Sequence, residues 1–342
     1  MRREALARLW RYEGLAGKLP AAWRRALALL APVWLALVLL TAREWGEMFH
    51  QWWNIDTYNH ILLVPLIIAW LAALRRDVLA RIEPWSWFPG LVAVAGALCL
   101  WLAGRVTGIN LLAHAGAVAV LQGSAIAILG PRATAALLLP IGFMAFLVPF
   151  GDEIIPPLQA ITAHIAIALT HWSGIPAAID GIHINTPVGL FIVAEACSGV
   201  KFLVAMFALG VLVCFTAFES WGRRAVFMLA CIIVPIIANG IRAWGTIYIA
   251  QFKGAEFAAG FDHIFYGWIF FAIVVGLVLA GAWRFIEREP EDAGFSLEAI
   301  GESPLLARLE RGNVNPGLFL AGLGLIALGF LVGAIYAPVP ML

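Results

Sequence analysis

The sequence predicts an all-α polytopic membrane protein of about nine transmembrane helices, with a periplasmic surface helix and a short β-hairpin ahead of the sixth. Three observations predict it. Of the 342 residues, 63% are hydrophobic and only 13% charged, whereas soluble domains lie nearer half and a quarter. Apolar runs of spanning length recur along the whole chain. Finally, if every run crosses once, 17 of the 22 Lys and Arg residues fall on one side, the asymmetry that marks cytoplasmic loops.

Taken in order, the runs lie near 26–42, 60–74, 88–104, 110–129 and 133–149, then near 199–218, 225–243, 264–283 and 317–336. Trp52, Trp53, Trp85, Trp87, Trp221, Trp244 and Trp283 sit near their ends, as interfacial aromatics do. The first 25 residues are basic and offer no small-residue cleavage site, so helix one is expected to be a retained anchor with a cytoplasmic N-terminus. Arg43, Arg105, Lys201, Arg242 and Lys253 face outward on this count. The longest outer excursion is 150–197. Its first half, PPLQAITAHIAIALTHWSG, starts on prolines, keeps helical spacing and ends on Gly174, which predicts a surface helix. Its second half, IDGIHINTPVGLFIVAEA, is β-branched and broken at Asn185-Thr186-Pro187, which predicts a hairpin. Residues 285–316 are charged and Gly/Pro-punctuated, a mobile cytoplasmic connector between a transmembrane domain over 1–284 and a last helix in 317–342.

Composition also excludes function classes. No long basic run with interleaved aromatics supports nucleic-acid binding. The four cysteines show no CxxC spacing, so neither a zinc site nor a disulfide framework is indicated. His164 and His171 share a helix face, but a metal would need a third ligand. No cofactor is expected.

Cys99, Cys214 and Cys231 fall inside helices and are expected to pack as small hydrophobes. Cys197, in VAEACSGVKF, is placed differently: at the membrane boundary, at the opening of a helix, with Lys201 four residues on. A helix N-terminus favours thiolate over thiol, and Lys201 adds positive charge, while Glu195 opposes both. Residue chemistry alone leaves nucleophile and packing as alternatives. The next helix ends in PIIANGIRAWG, with Asn239 and Arg242 three apart on one face. An arginine in such a run is costly, so a functional role outweighs snorkelling. The helix after that begins FDHIFYGW, which sets His263 beside Asp262 at the same depth.

EACSG, then NGIR, then a histidine heading the next helix resembles, in order, the signature of the exosortases, membrane cysteine transpeptidases of bacteria related to archaeosortases. PPLQAITAH, GIPAAIDG and VAEACSGVKFLVAMFALG look most like the exosortase A branch, which is associated with exopolysaccharide production. The resemblance implies a multi-pass inner-membrane enzyme with a periplasmic site. Its partners would be membrane-anchored proteins carrying a C-terminal Pro-Glu-Pro signal, and an acceptor nucleophile. It implies acyl transfer through a thioester on Cys197, an oxyanion held by Arg242 and a proton moved by His263. Glu195, Ser198, Lys201, Asn239, Asp262 and Tyr58 are the candidates to support them or to touch substrate, with a helix cap favoured for Asp262. Lys201 stands where many relatives carry arginine, which argues against a bidentate role there. The competing classes are a polysaccharide transporter or assembly factor, for which inverted repeats are expected and none is visible, and a structural scaffold.

Overall fold

The structure, a computed structural model, describes residues 20–254, 258, 269–310 and 316–336. It is a multi-pass, all-α membrane fold with one small sheet. Among the described residues, seven helices are long and apolar enough to cross a membrane, or eight if one pair bent by 108° counts as a span. One expected span comes out differently: residues 133–149 are not one helix. The span expected at 264–283 begins outside the described residues, and its described helix is Phe271–Trp283.

The chain divides into two compact units. The first takes the residues up to Ala42, Ala72–Ile141 and those from Phe295 on. It holds α1 (Ala21–Leu40), α4 (Gly90–Thr107), α5 (Asn110–Ala136) and α12 (Pro316–Tyr336). Helices α4 and α5 pack closely because small residues face each other. A Cβ added at Gly116 would stand 2.3 Å from the Trp101 backbone nitrogen. Small residues at such crossings let helix backbones approach where lipid supplies no hydrophobic drive. Gly116→Ala is therefore expected to destabilise the protein by about 1–3 kcal/mol through overpacking, measured as a lowered midpoint of thermal unfolding in detergent. A midpoint equal to wild type would contradict this.

Helix α5 is broken at Gly130 (φ 79°, ψ 172°), just before Pro131, yet continues to Ala136. This places the end of the helix seven residues beyond the apolar run at 110–129. The expected connector carries regular structure over part of its described residues. It contains α10 (Leu297–Glu302) and α11 (Pro304–Leu309), capped by the side chains of Ser296 and Ser303. Glu310 pairs with Arg132 at 2.8 Å, and the Leu309 carbonyl accepts from Trp87 Nε1 at 2.7 Å. Those caps and contacts hold a segment that Gly and Pro punctuation alone would leave loose.

The second unit takes Arg43–Leu71 and Gly142–Gly294. It contains most of α2 (Ala42–Asn54), α3 (Val64–Leu74), α6 (Ile155–Trp172), α7 (Val200–Ala217), α8 (Trp221–Lys253) and α9 (Phe271–Trp283). Between α6 and α7 lies an antiparallel sheet of β1 (Ala178–Asp180), β2 (His183–Thr186) and β3 (Gly189–Ile192), in that order. The expected hairpin is the β2–β3 pair, turning at Pro187-Val188, and β1 extends it to a meander.

Helix α8 has 33 residues, about 50 Å at 1.5 Å per residue, well beyond a hydrocarbon core of about 30 Å. Its first half packs on α7 through Met206, Cys214, Phe218, Phe227 and Cys231. Cys214 and Cys231 are thus core residues, as their positions predict, whereas Cys99, expected to pack in the same way, is exposed on α4 because it lies on the face that no neighbouring helix covers among the described residues. Its later half packs on α6 and the sheet through Ala163, Ala166, Ile167, Ile184, Val193 and Ile247. The helix expected to lie on the surface is therefore half buried: Leu158, Gln159, Thr162, Ala163, Ala166, Ile167 and Thr170 form its inner stripe. It is also long and apolar enough to qualify as a span. Helical periodicity showed the stripe but not which partner would cover it.

Candidate active site

Cys197 closes a single 3-10 turn, Glu195–Cys197, and donates its backbone N–H to the Ala194 carbonyl at 2.8 Å. Helix α7 begins only at Val200, after Gly199 in a left-handed conformation (φ 87°). Cys197 therefore precedes the helix rather than opening it, which corrects the expected placement in the first turn. The Val200 N–H is taken by the Ser198 hydroxyl at 3.3 Å. The cause is local: Gly199 permits a positive φ that turns the chain before the helical run starts.

Buried side chains from two neighbouring helices hold this turn. From α8, Asn239 Nδ2 donates to the Cys197 carbonyl at 2.8 Å and to Thr162 Oγ1 at 3.0 Å. From α6, Thr162 Oγ1 reaches the Ser198 carbonyl at 3.4 Å and Gln159 Nε2 donates to the Val193 carbonyl at 2.8 Å. Asn239, Thr162 and Ser198 are each at most 2% exposed. Buried carbonyls must find donors, and here the donors are also the groups that fix where the cysteine stands. A Cβ at Gly199 would lie 2.7 Å from Asn239 Cγ. Gly199→Ala is expected to cost at least the ~1–2 kcal/mol of a left-handed L-residue and to displace the Asn239 amide. Both a lower melting midpoint and a changed rate of Cys197 alkylation by a small maleimide should follow; wild-type values for both would refute the placement.

Arg242 lies one helical turn beyond Asn239 and is buried, with 9% of its surface exposed. Its guanidinium carbon is 5.9 Å from the Phe202 ring centre, within cation–π range. Phe202 in turn stacks on Phe271 at 4.5 Å, the first residue of α9. Cys197, Asn239 and Arg242 line one pocket with Phe191, Ile192 and Thr246, of about 70 Å³. The structure thus brings together Cys197 and Arg242, which are 45 residues apart in sequence. His263 and Asp262 lie outside the described residues.

The remaining candidates separate. Glu195 is exposed. Lys201 points to Asp56, 4.0 Å away, and its ammonium lies 5.5 Å from the Phe202 ring centre. Ser198 is buried, and its hydroxyl accepts the Val200 N–H. Tyr58, weighed as a substrate contact, is only 2% exposed, and its hydroxyl donates to Asp152 at 2.5 Å. It ties the α2–α3 bend to Asp152, just ahead of α6, a placement that an aromatic next to polar residues in sequence could not reveal. Gln159 and Thr162 escaped the sequence reading. Their signal was available: two polar residues at i and i+3 on the buried stripe of an otherwise apolar helix.

Residues 52–280 match the family model described as transmembrane exosortase. No curated protein matches the chain, and no solved structure does.

Proposed function

Since the chain belongs to the transmembrane exosortase family, we propose that it is a membrane cysteine transpeptidase or endopeptidase that cleaves C-terminal Pro-Glu-Pro signals through a thioester on Cys197. The observation that carries this reading is the single pocket shared by Cys197 and Arg242. A scaffold would have no need to bury an arginine beside a cysteine whose turn and its approach are held by three buried polar side chains.

In the proposed reaction the Cys197 thiolate adds to the scissile carbonyl, and the oxyanion so formed is stabilised by the Arg242 guanidinium. The intermediate collapses with loss of the C–N bond. His263 supplies the proton that leaves with the amine. An acceptor nucleophile, or water, then attacks the thioester, forms the new acyl bond and returns the free thiol. No cofactor takes part. Asn239, Thr162 and Gln159 hold the Cys197 turn. The site faces the periplasm in a bacterial inner membrane, with the N-terminus cytoplasmic, on the charge asymmetry of the loops. A substrate anchored in the same bilayer would present its tripeptide at the depth of Cys197.

The test is to incubate the protein, in nanodiscs, with a tagged substrate carrying Pro-Glu-Pro, an apolar helix and a basic tail, with and without hydroxylamine. A shortened product is expected, bearing a C-terminal hydroxamate when hydroxylamine is present. A shortened product that never forms the hydroxamate would reject the thioester; an intact substrate throughout would reject the enzyme.

A further inference from the structure

The pocket at Cys197 is bordered by β3 through Phe191 and Ile192. A polypeptide crossing the nucleophile is longer than this pocket and must continue onto what adjoins it, here a sheet edge. In the order β1-β2-β3, β3 is an edge strand, and no further strand pairs with it among the described residues.

The register shows which groups that edge presents. Thr186 pairs with Gly189 and Ile184 with Phe191, and the Val193 N–H donates to the Ile182 carbonyl at 3.0 Å. Antiparallel pairs alternate between bonded and non-bonded. Gly189, Phe191 and Val193 therefore turn their backbone groups toward β2, while Leu190 turns both of its groups outward and Ile192 its N–H; the Ile192 carbonyl accepts from the Ala194 N–H at 2.9 Å. The Leu190 and Ile192 side chains are 59% and 53% exposed. Sheets usually guard an edge with charge, proline or a bulge. The stretch VGLFIV, residues 188–193, has no charge and no proline. The pocket is lined by Ile184, Phe191 and Val193, which share one face of the sheet, and it also reaches Ile192 at the end of this edge.

We infer that β3 is a docking strand: an extended segment of substrate pairs with the outward backbone groups of Leu190 and Ile192 as a fourth strand, and its continuation crosses Cys197. This rests on the peptide-cleaving function proposed above. Strand addition takes its affinity from main-chain bonds and its selectivity from alternate side chains. Pro-Glu-Pro suits that geometry. Its prolines are two apart, so both missing N–H groups fall on the outer edge of the added strand, and the N–H and C=O of the glutamate face β3.

The experiment measures binding separately from cleavage. A fluorescein-labelled peptide containing Pro-Glu-Pro is titrated, by anisotropy, against Cys197→Ala protein in nanodiscs. Adding Leu190→Pro should weaken binding at least tenfold, because proline deletes an outward N–H without touching the β2–β3 ladder. Leu190→Ala, which keeps the N–H, should change it less than threefold. In a companion series the protein is unaltered and the peptide is N-methylated one residue at a time. Residues in step with the glutamate should lose at least tenfold, and residues in step with the prolines should lose nothing. Equal binding by Leu190→Pro, no alternation in the methylation series, or no binding at all would overturn the docking strand. Should Leu190→Pro fail to fold, the methylation series decides alone. Alternating binding without cleavage by wild type would instead reject the proposed catalysis and leave the docking strand standing. Cleavage that Leu190→Pro leaves at the wild-type rate would do the reverse.

Discussion

Cys197→Ala abolishes cleavage of a Pro-Glu-Pro substrate while the protein folds and inserts as before. The expectation has two parts. Loss of the sulfur removes the only atom proposed to form the thioester, so the rate should fall at least about 10⁴-fold, to the level of the uncatalysed background. The fold should survive because what anchors this turn is backbone: the Cys197 carbonyl accepts from Asn239, and the Cys197 N–H donates to Ala194. Neither bond uses the thiol. The check is product formation by gel shift and mass spectrometry, alongside the thermal midpoint. Processing at even a tenth of the wild-type rate in the alanine variant would show that the nucleophile lies elsewhere.

Arg242→Lys should lower kcat by about 10²–10³-fold with KM little changed, the loss that follows removal of one oxyanion donor. Lysine keeps the positive charge, so a purely electrostatic role would be largely preserved. It loses the planar fork and the face that packs over Phe202, at 5.9 Å from the guanidinium carbon. A shorter, more strongly hydrated ammonium would not sit at the same point of so small a pocket. Alkylation of Cys197 should proceed at close to its wild-type rate in this variant, which separates a missing stabiliser from a collapsed site. Near-normal turnover by the lysine variant would remove Arg242 from the chemistry.

The two halves of the site were not equally legible. Cys197, Asn239 and Arg242 stand out in sequence because each is a chemically expensive choice at the edge of an apolar run: a thiol between Glu195 and Lys201, and an arginine one turn after an asparagine. Their convergence in one pocket follows from α7 and α8 being antiparallel neighbours, which short connections between apolar runs predict. The support was not legible in the same way. Gln159 and Thr162 look like ordinary polar residues in a helix that amphipathicity places on a surface. Only packing of α6 along residues 239–247 of α8 gives them the carbonyls of Val193 and Ser198. Tyr58 shows the converse: near polar residues in sequence, it is buried in space.

The sequence by itself determined the solvent and the class, since 63% hydrophobic residues arranged in spanning runs admit no aqueous core. It also singled out the side chains proposed to carry chemistry, because a costly residue in an apolar run is visible without coordinates. Tertiary structure alone decided that Cys197 stands in a turn ahead of its helix, that α6 is half buried, and that β3 has no further strand on its edge beside the pocket among the described residues. Those outcomes depend on which apolar face meets which, and helical and strand periodicities state that a face exists without naming its partner.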